Sequence, residues 1–167
     1  MTWSIVAHDP RSGAFAVAVT TAAFAVGASC RFLRSGVGAV STQSLTNRYL
    51  GPAILDRLGR GLAPAAAIEE ALAKDSGRHV RQVHAVDRHG HAAAWTGSQC
   101  VAWCGVRTGV HVSVAGNMLA GPAVVDATFD VLGTHGELEL PERLLAALDA
   151  GQGMGGDSAA GNRRRCC

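Results

Sequence analysis

Apolar and polar positions alternate with a period of two along Thr2-Trp3-Ser4-Ile5-Val6-Ala7, and strand-like positions recur from Ala14 to Thr21. Such alternation marks a strand with two unlike faces, and the His8-Asp9-Pro10-Arg11-Ser12-Gly13 segment carries the turn formers of an antiparallel hairpin. Residues 22–36 read as irregular, Val37 to Thr42 as a short strand, and Gln43-Ser44-Leu45-Thr46-Asn47-Arg48-Tyr49 as a polar loop behind it, where binding groups tend to sit. Pro52 marks the first turn of a helix with Ile54, Leu55, Leu58 and Leu62 at helical spacing, and Pro64 to Ala73 predicts a second helix antiparallel to it. Val80 to Val86, Ala92 to Trp95, Gln99 to Trp103 and His111 to Ala115 read as strands divided by Asp87-Arg88-His89-Gly90, Thr96-Gly97 and Arg107-Thr108-Gly109. Two last helices are predicted at Pro122 to Val131 and Pro141 to Ala150. The order of strands, helix pair, strands and helices predicts an α+β domain in which helices cover antiparallel sheets.

Composition narrows the classes of function. A chain of 167 residues, 48% apolar and 17% charged, suffices for one domain with its own core. A net charge of +2 gives no general case for nucleic-acid binding, and the one dense basic cluster, Arg163-Arg164-Arg165, lies in the tail. No apolar run reaches the roughly 18 residues of a spanning helix and no secretion signal precedes the first strand, so the expectation is a cytoplasmic protein without a membrane partner. Five cysteines, an odd number, argue for reduced thiols rather than a disulfide framework.

Two sets of residues raise chemistry. Thr2 follows Met1 directly and opens a strand, so removal of Met1 leaves a hydroxyl and a free α-amine on one residue. An α-amino group titrates at about 7.7 to 8, which lets it act as the base for its own hydroxyl. The plainer reading is that Thr2 merely begins an edge strand. His89-Gly90-His91 and Cys100-Val101-Ala102-Trp103-Cys104 bring four zinc-type ligands close together in sequence. On a strand, however, Cys100 and Cys104 stand about 13 Å apart, which leaves two small buried thiols and no metal site. The remaining histidines are dispersed and form neither a dyad nor a cluster. The reading therefore calls for no metal and no cofactor.

Several blocks in one order carry a resemblance: Thr2 to Pro10, Phe24-Ala25-Val26-Gly27-Ala28, Gly36 to Gln43, Arg81-Gln82-Val83, Gly116-Asn117-Met118-Leu119-Ala120-Gly121 and Gly151 to Asp157. They resemble the bacterial and archaeal domain of unknown function 1028, a family similar to the N-terminal nucleophile (Ntn) hydrolases. The resemblance implies a four-layer αββα sandwich, and amide cleavage through an acyl-enzyme with Thr2 as nucleophile. It makes the Asn117 side chain the first candidate for the oxyanion donor, against the plainer reading of a left-handed turn residue. Gln43, Thr46 and Asn47 are candidates for the pocket lining, and Arg34, ahead of Arg31, for holding a substrate carboxylate. The implied ligand is a small amide or a peptide. A binding or scaffold protein on the same fold is the alternative, because fold alone confers no activity.

Residues 158–167 depart from the family pattern. Back-translated with GC-rich codons and read from the third base, they give Arg-Gly-Arg-Gln-Ser-Ala-Ala-Leu-Leu, the basic and apolar run the family carries there. The expectation is a frameshift near Asp157 that costs the domain its last strand, bares a sheet edge and favours a homo-oligomer that covers it. The rival reading is a short, disordered tail.

Overall fold

The computed structural model describes residues 1–24, 26–134 and 138–156, and the backbone of 164–166. Among these residues the fold is mixed α+β, with two antiparallel sheets and five α-helices. The first sheet is built from β1 (Thr2–His8), β2 (Phe15–Thr21), β7 (Gly105–Gly109), β8 (Val112–Asn117) and β9 (Arg164–Cys166), in the order β7-β8-β1-β2-β9. The second holds β3 (Arg31–Arg34), β4 (Gly38–Ser44), β5 (Arg81–Asp87) and β6 (Ala92–Thr96), in sequence order. The helices are α1 (Gly27–Cys30), α2 (Leu50–Gly59), α3 (Pro64–Leu72), α4 (Pro122–Thr134) and α5 (Leu140–Gly153).

The period of two in β1 is what sorts the interior. Trp3, Ile5 and Ala7 pack with Val114 against Val124, Val125, Leu144 and Leu148 of α4 and α5. Val40, Val83 and Ala85 on the second sheet pack against Ile54, Leu55, Ile68 and Leu72 of α2 and α3. The opposite faces of the two sheets meet each other, where Val6, Val17, Ala39 and Val86 form a third, smaller core. The helices α2 to α5 each bury one stripe at helical spacing, such as Leu50, Ile54, Leu55 and Leu58 in α2. Pro64 and Pro122 open their helices, where a missing N–H costs nothing, and Pro141 sits in the first turn of α5.

The turn between β1 and β2 closes on Asp9, whose carbonyl accepts the Gly13 N–H at 2.8 Å and whose carboxylate accepts the Ser12 hydroxyl at 2.7 Å. Gly13 takes φ +72°, which a glycine adopts without steric cost.

Two expectations need correction. Residues 22–36 are not wholly irregular: they hold α1 and the edge strand β3, whose Phe32 packs against the α2/α3 cluster. Residues 99–103 are a loop instead of a strand, and the strand is β7, where a turn was expected. The carbonyls of Val101 and Trp103 accept the N–H groups of Met118 and Leu119 at 3.0 Å each, so this segment is bound to the chain leaving β8. The expected loss of a last strand falls mainly on residues outside the described ones. Within them, Arg164–Cys166 pair antiparallel with Ala18–Thr20, so the β2 edge is covered there.

Candidate functional site

The space between the sheets changes character along its length. Toward the end of β1 it is apolar, filled by Val6, Val17, Ala39 and Val86; toward the start of β1 it is polar and still buried. Ser4, Ser41, Gln43, Gln82, His84, Ser113 and Asn117 are all at most 2% exposed. Polar groups taken from water at that depth need partners, and here they find one another.

Their hydrogen-bond order can be worked out from donors. The Ser4 hydroxyl donates to Gln43 Oε1 at 2.7 Å, which leaves its oxygen to accept from Ser41 at 3.2 Å and from His84 Nε2 at 2.8 Å. His84 therefore carries its proton on Nε2, and its Nδ1 accepts the Ser113 hydroxyl at 2.9 Å. Burial pushes the His84 imidazole down to about 3, so it is neutral at physiological pH. Gln82 is the hub of the other half. Its Oε1 accepts from Gln43 Nε2 at 2.8 Å and from Asn117 Nδ2 at 3.1 Å, while its Nε2 donates to the Gly116 carbonyl at 2.9 Å and to Thr96 Oγ1 at 3.0 Å.

Thr2 stands at the mouth of this network. It pairs in register with Asn117 on one side and Thr21 on the other, and register partners share a face. The hydroxyls of Thr2 and Thr21 lie 2.9 Å apart, and Thr21 donates to the Met1 carbonyl at 2.9 Å. The Thr21 proton is thus spent on Met1, and Thr2 donates to Thr21. The Met1 ammonium rests 3.3 Å from Met118 Sδ. Ser44 and Met118, at the ends of β4 and β8 on this side, hold φ of +68° and +55°, the left-handed region that non-glycine residues enter uncommonly.

The other sequence candidates separate. Gln43 joins the site, bridged to Asn117 through Gln82 and donating also to the Ala115 carbonyl at 3.1 Å. Thr46 and Asn47 line a cavity of about 390 Å³ with Ser29, Arg48, Tyr49 and Arg81. Asn47 is also a structural tie: its Nδ2 donates to Asp75 at 3.1 Å and its Oδ1 accepts the Tyr49 N–H at 3.1 Å. Arg81 and Asn47 together hold the Asp75 carboxyl down at about 2. Arg34 is not brought to Thr2. It lies opposite Gly38 at the far end of β4 and is bound to Asp56 at 2.7 Å, because the turn into β4 points it at α2.

Thr21, Gln82, Ser4 and His84 were missed as site residues. The signal available was polar residues at alternate positions inside apolar strands, Thr2 and Ser4, Ser41 and Gln43, Gln82 and His84, which places each pair on one buried face. The histidines are also less scattered than expected, since His8 Nδ1 lies 3.0 Å from His111 Nδ1. Cys104 donates to the Cys100 carbonyl at 3.6 Å, and burial, then Cys100, raises its thiol. Among the described residues no three His, Cys, Asp or Glu side chains are grouped to hold a metal ion, and no helix is long and apolar enough to cross a membrane.

Fold and site together define an α+β protein with two facing antiparallel sheets and a buried polar network beside the start of its first strand. Over residues 2–164 the chain matches the family of unknown function DUF1028, and it belongs to that family. A DUF1028 protein from Silicibacter pomeroyi, solved by crystallography, is similar, with a TM-score of 0.88 and 34% identity over 92% of this chain and 68% of that one. No curated protein matches the chain.

Proposed function

We propose that the protein is an amide hydrolase of the N-terminal nucleophile type, acting on a small amide or peptide through an acyl-enzyme at Thr2. The observation that carries the reading is the position of Thr2, at the first residue of a central strand, with one hydroxyl partner in Thr21 and an oriented carboxamide, Asn117, directly opposite. The packing of α4 and α5 on one sheet and α2 and α3 on the other supports an αββα sandwich of the Ntn type.

In the proposed reaction, removal of Met1 frees the Thr2 amine and releases Thr21 from the Met1 carbonyl. The amine takes the Thr2 hydroxyl proton as the oxygen attacks the amide carbonyl. Asn117 Nδ2 spends one N–H on Gln82, which fixes its plane, and directs the other at the oxyanion; one such donor is worth about 3 kcal/mol. The ammonium then protonates the leaving amine, and water, activated by the same amine, releases the acyl group.

A second reading, a binding or scaffold protein on this fold, is favoured by how Met1 is seated, with its carbonyl on Thr21 and its ammonium against Met118. Intact mass spectrometry of the native protein separates the two. A mass lacking Met1, with hydrolysis of an amide library that Thr2→Ala abolishes and Thr2→Ser retains in part, supports the hydrolase. A mass retaining Met1 overturns it and leaves the scaffold. The same spectrum reads the tail: a mass that includes Cys166 and Cys167, with the gene resequenced in one open frame, overturns the frameshift.

A further inference from the structure

The end of β1 away from Thr2 opens on a second cavity, also of about 390 Å³, within the size range of small-molecule sites. Six residues of extended strand put it about 20 Å from the Thr2 end. Its lining is apolar from Phe129 and Leu132 of α4 and Leu140 of α5, and polar from His8, His111 and Arg143, which follows Leu140 by one turn of α5.

The charges around it are unevenly committed. The Asp9 carboxylate is taken by its own turn, through the Ser12 hydroxyl, the Arg11 N–H at 3.1 Å and the Arg11 guanidinium at 3.5 Å. Asp87 nearby accepts the N–H groups of His89 and His91 at 2.8 and 2.9 Å and meets His91 Nδ1 at 3.0 Å. Arg143 has no carboxylate partner among the described residues, and its Nε is buried with no hydrogen-bond acceptor. A buried guanidinium N–H without an acceptor costs free energy that an anionic oxygen would recover. The histidine pair adds a donor. With Nδ1 facing Nδ1 at 3.0 Å, one ring donates and the other accepts, so the accepting ring holds its proton on Nε2.

We propose that this cavity binds a small organic carboxylate, its head on Arg143 and the His8/His111 pair and its apolar body against Phe129, Leu132 and Leu140. The guanidinium supplies charge and a planar pair of donors, the imidazole a further N–H, and the apolar lining rewards an apolar body that inorganic anions lack. Nothing in this site is shared with Thr2, so it stands or falls independently of the hydrolase reading.

Benzoate is the probe, with benzyl alcohol and inorganic phosphate as controls for body and head alone, titrated into the full chain labelled with nitrogen-15. Saturable amide shifts confined to residues 109–111 and 140–144, weaker by tenfold or more with benzyl alcohol and with phosphate, are expected. Arg143→Met, which keeps the apolar stem, should weaken benzoate at least about tenfold, the loss expected of one charged hydrogen bond. His111→Gln is a second variant, expected to weaken it several-fold, and an unchanged spectrum elsewhere verifies that each variant is folded. The absence of benzoate shifts, equal binding of phosphate, an unaffected Arg143→Met or shifts centred on Thr2, Thr21 and Asn117 each overturn the proposal.

Discussion

The hydroxyls of Thr2 and Thr21 face each other across β1 and β2 at 2.9 Å, and Thr21 spends its proton on the Met1 carbonyl. As long as Met1 is in place, Thr21 anchors it; once Met1 is gone, Thr21 keeps Thr2 and the Ala23 N–H at 3.2 Å, and in the proposed hydrolase it positions the Thr2 hydroxyl for attack.

Thr21→Val preserves shape and removes that hydroxyl. In the proposed hydrolase, kcat falls by about tenfold, the value of one lost hydrogen bond of about 1 kcal/mol or slightly more. KM is expected to hold, because Thr21 touches the nucleophile and not the substrate. Steady-state kinetics on the substrate found by screening checks both; an unchanged kcat sinks the positioning role.

Gln82 holds two carboxamides and two further acceptors from a fully buried position. Gln82→Leu strands the Asn117 amide and the Gly116 carbonyl, at about 1 to 3 kcal/mol for each buried group left without a partner. A loss of about 3 kcal/mol or more in urea unfolding is expected. A loss under about 1 kcal/mol would mean that water replaces the side chain.

Thr42 offers the opposite case. Its Oγ1 is buried without a hydrogen-bond partner among the described residues, on the face of β4 that also carries Val40 and meets α2 and α3. Thr42→Val keeps the shape and removes the stranded hydroxyl, so it should stabilise the protein by about 1 kcal/mol. Thermal and urea unfolding of the variant read the sign directly.

His84 makes stability depend on pH. Its folded value of about 3 lies below the ordinary imidazole value of 6.5, so the unfolded chain takes up the proton first as pH falls. Stability contributed by the neutral ring is complete above about 6.5 and is lost progressively toward 3, with a limiting slope of about 1.4 kcal/mol per pH unit. Urea unfolding at pH 7.5, 6 and 5 should show the decline, and His84→Gln should flatten it.

Much of the architecture was legible in the chain. The alternation in Thr2 to Ala7 and the spacing of Ile54, Leu55 and Leu58 report which face each element buries, and the observed bounds of β1, β4, β5 and α3 fall within two residues of those expected. The strand expected at Gln99 to Trp103 failed because an apolar run states that a segment is buried and not which groups its backbone bonds. Thr2 was legible as a candidate from its place behind Met1 at a strand start, and Asn117 through family resemblance. Arg34 failed as a partner because its distance from Thr2 depends on which end of β4 faces the site, and no local pattern records that.

The sequence by itself determined the elements, the two-faced strands and the apolar stripes, since these follow from side-chain periods of 2 and 3.6 within a few residues. Only the tertiary structure decided that Ser4, Gln43, Gln82, His84 and Asn117 share one buried network, that Thr21 answers Thr2, and that His8 meets His111. Such partners lie up to 103 residues apart, and their meeting depends on strand order and register, which long-range packing of the whole chain selects.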